Sequence, residues 1–182
     1  MSADMLTIYF KDVIFQRNCS EFIMIVTDNE EYWKREIKHL KYTKSYIIIN
    51  NFSDDRFLNL HTSANSGIKI LLIIDNPIDG LYSDPRAREI IANNKNHGVT
   101  SVIMTDSVST LPFETRDSID YVVLLDFCST SIDEYYCDYF IFKSKSRLKY
   151  LCNKYADDNF SALFVDVKTC DKDNKISSVS AI

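Results

Sequence analysis

Short apolar runs alternate with polar segments that carry helical spacing along most of the chain. Residues 21–26 (EFIMIV), 45–50 (SYIIIN), 68–75 (IKILLIID), 99–105 (VTSVIMT), 119–126 (IDYVVLLD) and 160–167 (FSALFVDV) are bounded by polar residues and rich in β-branched side chains. Each is predicted to be a strand, with 139–142 (YFIF) a further short one. Most lack an in–out alternation, which marks strands covered on both faces. Between them, 30–41 (EEYWKREIKHLK) reads as a helix capped by Asp28 or Asn29. Glu30 and Glu31 open it, and Lys38, His39 and Lys41 close it, as the helix dipole favours. Asp84-Pro85 opens a helix over 85–95 that ends at His97-Gly98. Residues 1–20 and 143–156 also read as helical. The polar stretch 51–67 reads as a loop with at most one helical turn, 76–85 as turns, and 111–118 as a loop or short helix.

This alternation predicts an α/β fold with a largely parallel central sheet flanked by helices. One domain over residues 1–167 and a polar C-terminal tail over 168–182 are expected. A chain of 182 residues that is 46% hydrophobic and 26% charged can build a core without staples. No apolar run nears the ~20 residues that span a bilayer, and the N-terminus does not read as a secretory signal, so no membrane partner is expected. The net charge of −5 disfavours strong non-specific DNA binding by the isolated chain. The five Cys include no C-x-x-C and the three His form no ligand-spaced pair. Reduced thiols in a cytoplasmic setting are the expectation, without a structural zinc.

The strand 68–75 ends in Asp75, which places a carboxylate at the C-terminal edge of a parallel sheet, where open α/β folds bind ligands. Such an Asp can help hold Mg²⁺, or can simply cap the strand end. Arg116 can be an ion-pair partner of Asp117 or Asp120. Lys143, Lys145, Arg147 and Lys149 recur at every second residue, so on a helix they spread around the circumference rather than form a DNA track. Tyr32 and Trp33 read as packing residues, and the 135–139 run (YYCDY) as a folded edge.

The order of segments carries more than any one of them. LLIIDN (71–76) is followed by a helix ending NNKNHG (93–98), by VTSVIMTDS (99–107), and by LPFETRDSIDYVVLL (111–125). A basic stretch, SRLKYLCNKYA, and FSALFVDVKTCDKDNKI complete the chain. This order resembles the poxvirus-type genome-packaging ATPase family, the viral branch of the FtsK/HerA ATPases, over about residues 5–175. The resemblance implies a P-loop-NTPase-like core. It puts Asp75 at the Mg²⁺-holding position and Arg116 at the family's arginine, which can act in trans as an arginine finger.

The departures from that pattern bear on function. No G-x-x-x-x-G-K-S/T occurs anywhere in the sequence, so the Walker A element is missing, and an ungapped match would set the phosphate-binding lysine near Met5. Asn76 stands at the catalytic-acid position, where an amide cannot take up a proton as a carboxylate does. Asp106 stands at the sensor position and Lys95-Asn96 at the family's Arg-His pair. The resemblance therefore implies a non-hydrolysing pseudo-ATPase subunit, or the C-terminal part of a divided ATPase, acting in virion assembly. No resident cofactor is expected, with Mg-ATP as the one candidate. A protein partner or a homo- or hetero-oligomer in the host cytoplasm or viral factory is implied. The alternative is a non-enzymatic interaction protein that binds a host or viral protein through the α/β scaffold.

Overall fold

The computed structural model describes residues 21–39, 45–60, 67–75, 84–105, 111–124, 146, 150, 161–166 and 176–180. They divide between two compact units, one within Lys11–Ser118 and the other within Met1–Phe10 and Ile119–Ile182.

The first unit holds β1 (Phe22–Val26), α1 (Glu30–His39), β2 (Ser45–Ile49), the single turn α2 (Asp55–Leu58), β3 (Ile70–Asp75), α3 (Pro85–Ala92), a 3₁₀ turn (Asn94–His97), β4 (Val99–Met104) and α4 (Phe113–Asp117). The four strands form one parallel sheet in the order β2-β1-β3-β4. The fold is α/β, as the strand and helix alternation predicts. In the register Met24 lies opposite Ile47 on one side and Leu72 on the other, and Leu72 lies opposite Ser101.

Burial explains why β1 and β3 lack alternation. Every residue of Ile23–Val26 and of Ile70–Ile74 is buried. Met24, Val26, Ile70, Leu72 and Ile74 join Ala87, Ile90 and Ile91 of α3 in one core cluster. Ile23, Ile25, Leu71 and Ile73 share the other face, because successive side chains in a strand point to opposite sides. Asp75 has the parity of Leu71 and Ile73, and it is reached from α1 by Trp33. So α1 covers the second face with Trp33 and Ile37, both buried and one turn apart on the helix.

The segment 51–67 contributes more to the core than its polar composition suggests. Phe52, Phe57 and Leu60 are buried there, and Phe52 meets Phe57 edge to face with ring centroids 5.0 Å apart. The turn α2 forms because Asp54 caps it, its carboxylate accepting the Arg56 N–H at 2.9 Å. Helix α3 starts in the same way, with the Asp84 carboxylate accepting the Arg86 N–H at 2.9 Å and Pro85 in its first turn. It stops at Ala92, three residues short of the predicted end, and the 3₁₀ turn carries the chain to Gly98. Gly98 has φ +65°, a left-handed conformation that suits glycine, and its carbonyl accepts the Ile70 N–H at 3.2 Å.

In the second unit β5 (Tyr121–Leu124), β6 (Ser161–Asp166) and β7 (Ile176–Ser180) form an antiparallel sheet in that order. The apolar runs read at 119–126 and 160–167 hold strands as expected, over Tyr121–Leu124 and Ser161–Asp166. They pair with each other in this separate sheet, not with the parallel one. Strand β7 lies in the segment read as a polar tail. Backbone pairing with β6, from Ser161 opposite Ser180 to Val165 opposite Ile176, needs no apolar run, so composition does not reveal it. Ser146 and Tyr150 are helical, within the predicted helix 143–156. The predicted helix at 1–20, the turns at 76–83, the YYCDY run and the strand at 139–142 lie outside the described residues. No helix among the described residues is long and apolar enough to cross a membrane.

Candidate functional site at the C-terminal edge of the parallel sheet

Strands β1 and β3 are neighbours, so their C-terminal ends emerge side by side. Val26 lies opposite Ile74 in the register, which places Thr27 beside Asp75. Thr27 continues β1 by donating its N–H to the Ile49 carbonyl at 3.0 Å, and it is fully buried. A buried threonine hydroxyl requires partners. Here Oγ1 donates to Oδ2 of Asp75 at 3.1 Å and accepts the backbone N–H of Asn29 at 2.9 Å.

Asn29 then caps α1, its Oδ1 accepting the Tyr32 N–H at 3.3 Å. One turn into that helix, the Trp33 indole donates Nε1–H to the same Oδ2 of Asp75 at 2.7 Å. The result is a continuous polar chain from the Asn29 amide through Thr27 to Asp75, closed by Trp33. Thr27 and Trp33 are buried, so loss of the acceptor would leave their donors penalised. Tyr32 packs edge to face on Trp33 with centroids 5.6 Å apart, and the Arg35 guanidinium lies 5.9 Å from the centre of the Tyr32 ring. Lys34 on the exposed side bridges Glu30 and Glu31, each at 3.0 Å, and these hydrogen bonds hold its ammonium above the ordinary lysine range.

Sequence reasoning singles out Asp75, and the structure places it half-buried at the end of β3. Arg116 is half-buried on α4, a short helix that packs near α3 and follows the buried Leu111 and Pro112. Asn76 and Asp106 lie outside the described residues. The backbone of Lys95-Asn96 lies in the 3₁₀ turn, where the Asn96 N–H donates to the Asn93 carbonyl at 3.0 Å. Sequence reasoning reads Trp33 as packing and passes over Thr27. The available signal was a threonine directly after a doubly buried strand, with a tryptophan six residues on that also needs an acceptor when buried.

No family model matches the chain, and no curated protein matches it in sequence. Solved structures do match its fold. The genome packaging NTPase B204 from Sulfolobus turreted icosahedral virus 2, in complex with ATP-gammaS, superposes with a TM-score of 0.66 at 14% identity, over 100% of this chain and 92% of that one. The same protein in complex with AMPPCP gives a TM-score of 0.61 at 16% identity, over 96% of this chain and 88% of that one. B204, the DNA-packaging ATPase from Sulfolobus turreted icosahedral virus, gives 0.60 at 15% identity, over 98% and 90%. The chain has the fold of a viral genome-packaging ATPase.

Proposed function

We propose that this protein is a non-hydrolysing relative of the viral packaging ATPases, acting in virion assembly as a pseudo-ATPase subunit alongside a protein partner or further copies of itself. The observation that carries the reading is a packaging-ATPase fold in a sequence with no G-x-x-x-x-G-K-S/T. Phosphoryl transfer depends on positioning and charge stabilisation, and the backbone cradle and its lysine supply much of both. The sequence adds an amide, Asn76, where the resemblance expects the catalytic acid, and a carboxylate, Asp106, where it expects a neutral sensor. A carboxylate there repels a γ-phosphate. Arg116 remains as a cation that could face a nucleotide held by a neighbouring subunit.

The test is phosphate release from Mg-ATP by the purified chain, with and without double-stranded DNA. The expected rate is indistinguishable from a no-protein control. Turnover on the scale of seconds refutes the reading. Thermal unfolding with millimolar Mg-ATP or Mg-ADP separates binding from hydrolysis. Ligand at 100 times its dissociation constant adds about 2.7 kcal/mol, which raises the midpoint by roughly 5–10 °C in a chain of this size.

A further inference from the structure

The packaging-ATPase fold implies a Mg²⁺ held near the end of the strand that carries Asp75, and the residues around Asp75 can be tested for that fit. A magnesium ion bound through one or two carboxylates takes the rest of its octahedral shell from water and substrate phosphates. The phosphates in turn need a cradle, and the sequence has no motif for one. Oδ2 of Asp75 already accepts two hydrogen bonds, from the Trp33 indole at 2.7 Å and the Thr27 hydroxyl at 3.1 Å. A cation seated on that oxygen would have to displace both donors. They are attached to the first turn of a helix and to a fully buried strand end, so neither has an alternative acceptor in water. Oδ2 is thus committed to the fold, and the remaining oxygen, Oδ1, with no phosphate-cradle motif in the sequence, would offer the ion one ligand of its six, a poor fit for a resident metal.

From this disagreement we infer that Asp75 is the anchor of helix α1 and not a metal ligand. Trp33 and Ile37 dock α1 on the sheet through apolar contact, which fixes the face of the helix but not its position along the strands. The directional bonds to Oδ2 supply that position. They tie the first turn of α1 to the end of β3, while Thr27 ties the end of β1 to the same carboxylate. Asp75 is thus a positioning residue, and its charge strengthens both bonds relative to a neutral acceptor.

Trp33 is the sole tryptophan of the chain, so its emission reports directly on this contact. The experiment compares the full chain with Asp75→Asn, Asp75→Ala and Trp33→Phe by thermal unfolding, and by tryptophan emission during titration with MgCl₂, alone and with ATP. In Asp75→Asn the side-chain oxygen can still accept, so Trp33 emission is retained and the midpoint falls by only a few degrees. Asp75→Ala leaves two buried donors unpaired, lowers the midpoint by about 5–10 °C and shifts the emission maximum. Mg²⁺ changes neither reading in the wild type. Should Asp75→Ala fail to fold, the double variant Trp33→Phe/Asp75→Asn still tests the contact, because its midpoint loss is smaller than the sum of the single losses. A Mg²⁺-dependent rise in midpoint or change in emission that Asp75→Asn abolishes overturns the inference, and so does additivity in the double variant. These outcomes are independent of ATP turnover, so the anchor and the non-hydrolysing reading can fail separately.

Discussion

The Thr27 hydroxyl donates to Oδ2 of Asp75 across 3.1 Å and so joins the ends of β1 and β3 through side chains where the backbone ladder stops. The same hydroxyl accepts the Asn29 N–H at 2.9 Å. Thr27→Val keeps the shape and removes both bonds. It is expected to cost about 1–3 kcal/mol in urea unfolding. Thr27→Ser keeps the bonds and loses one buried methyl, about 1 kcal/mol. A valine variant as stable as the wild type would show that the hydroxyl contributes nothing.

Phe57 is fully buried, and its ring meets Phe52 edge to face. Phe57→Ala removes that ring from the core cluster shared by β1, β3 and α3, and is expected to cost about 3–5 kcal/mol. Phe52→Leu keeps most of the volume and loses the aromatic geometry, worth about 0.5–1.5 kcal/mol. Denaturant titration measures both. Near-neutral values would mean that 51–60 packs loosely, as its polar composition suggests.

Asp84 caps α3, and its hydrogen bond with the Arg86 side chain holds its carboxyl below the ordinary carboxylate value of about 3.9. A depressed folded-state pKa means that the stabilisation is complete above the unfolded value and fades as pH falls through the folded one. Asp84→Asn keeps a capping oxygen and loses the charge. Its midpoint deficit against the wild type should be constant from pH 7 to pH 5 and shrink below about pH 4. The Arg86 partner is well exposed, so the deficit is small and falls with added salt. A deficit that grows in acid would contradict this assignment.

Thr115 on α4 is fully buried, and among the described residues its Oγ1 has no hydrogen-bond partner. An unsatisfied buried hydroxyl costs free energy that a methyl of the same shape does not. Thr115→Val is expected to leave stability unchanged or raise it by about 1 kcal/mol, whereas Thr115→Ser, which keeps the hydroxyl and deletes a buried methyl, lowers it. Calorimetry on the pair decides, and a destabilised valine variant would show that the hydroxyl has a partner in solution.

The elements that pattern reveals are those whose burial is uniform. Ile23–Val26 and Ile70–Ile74 are buried on both faces, so each appears as an unbroken apolar run, and the parallel sheet follows from their alternation with helices. Phe52, Phe57 and Leu60 were hidden because core residues spaced among Asn, Ser and Asp show no period. Strand β7 was hidden because it is held by backbone pairing, to which side-chain polarity is nearly indifferent. At the site, Asp75 stood out because a carboxylate ending a buried strand is conspicuous. Its partners were not visible, since Thr27 and Trp33 are 48 and 42 residues away in sequence.

The sequence by itself determined the α/β class, the strand that delivers Asp75 to the sheet edge, and the absence of a phosphate-cradle motif. These depend on local composition and spacing, which are complete in one dimension. Only the tertiary structure decided what Asp75 does with its charge. The β2-β1-β3-β4 order sets β1 beside β3, and the packing of α1 on one face then brings an indole and a hydroxyl to the same carboxylate oxygen. Hydrogen bonds are short-ranged and directional, so the role of a charged side chain depends on which donors the fold brings within bonding reach of it.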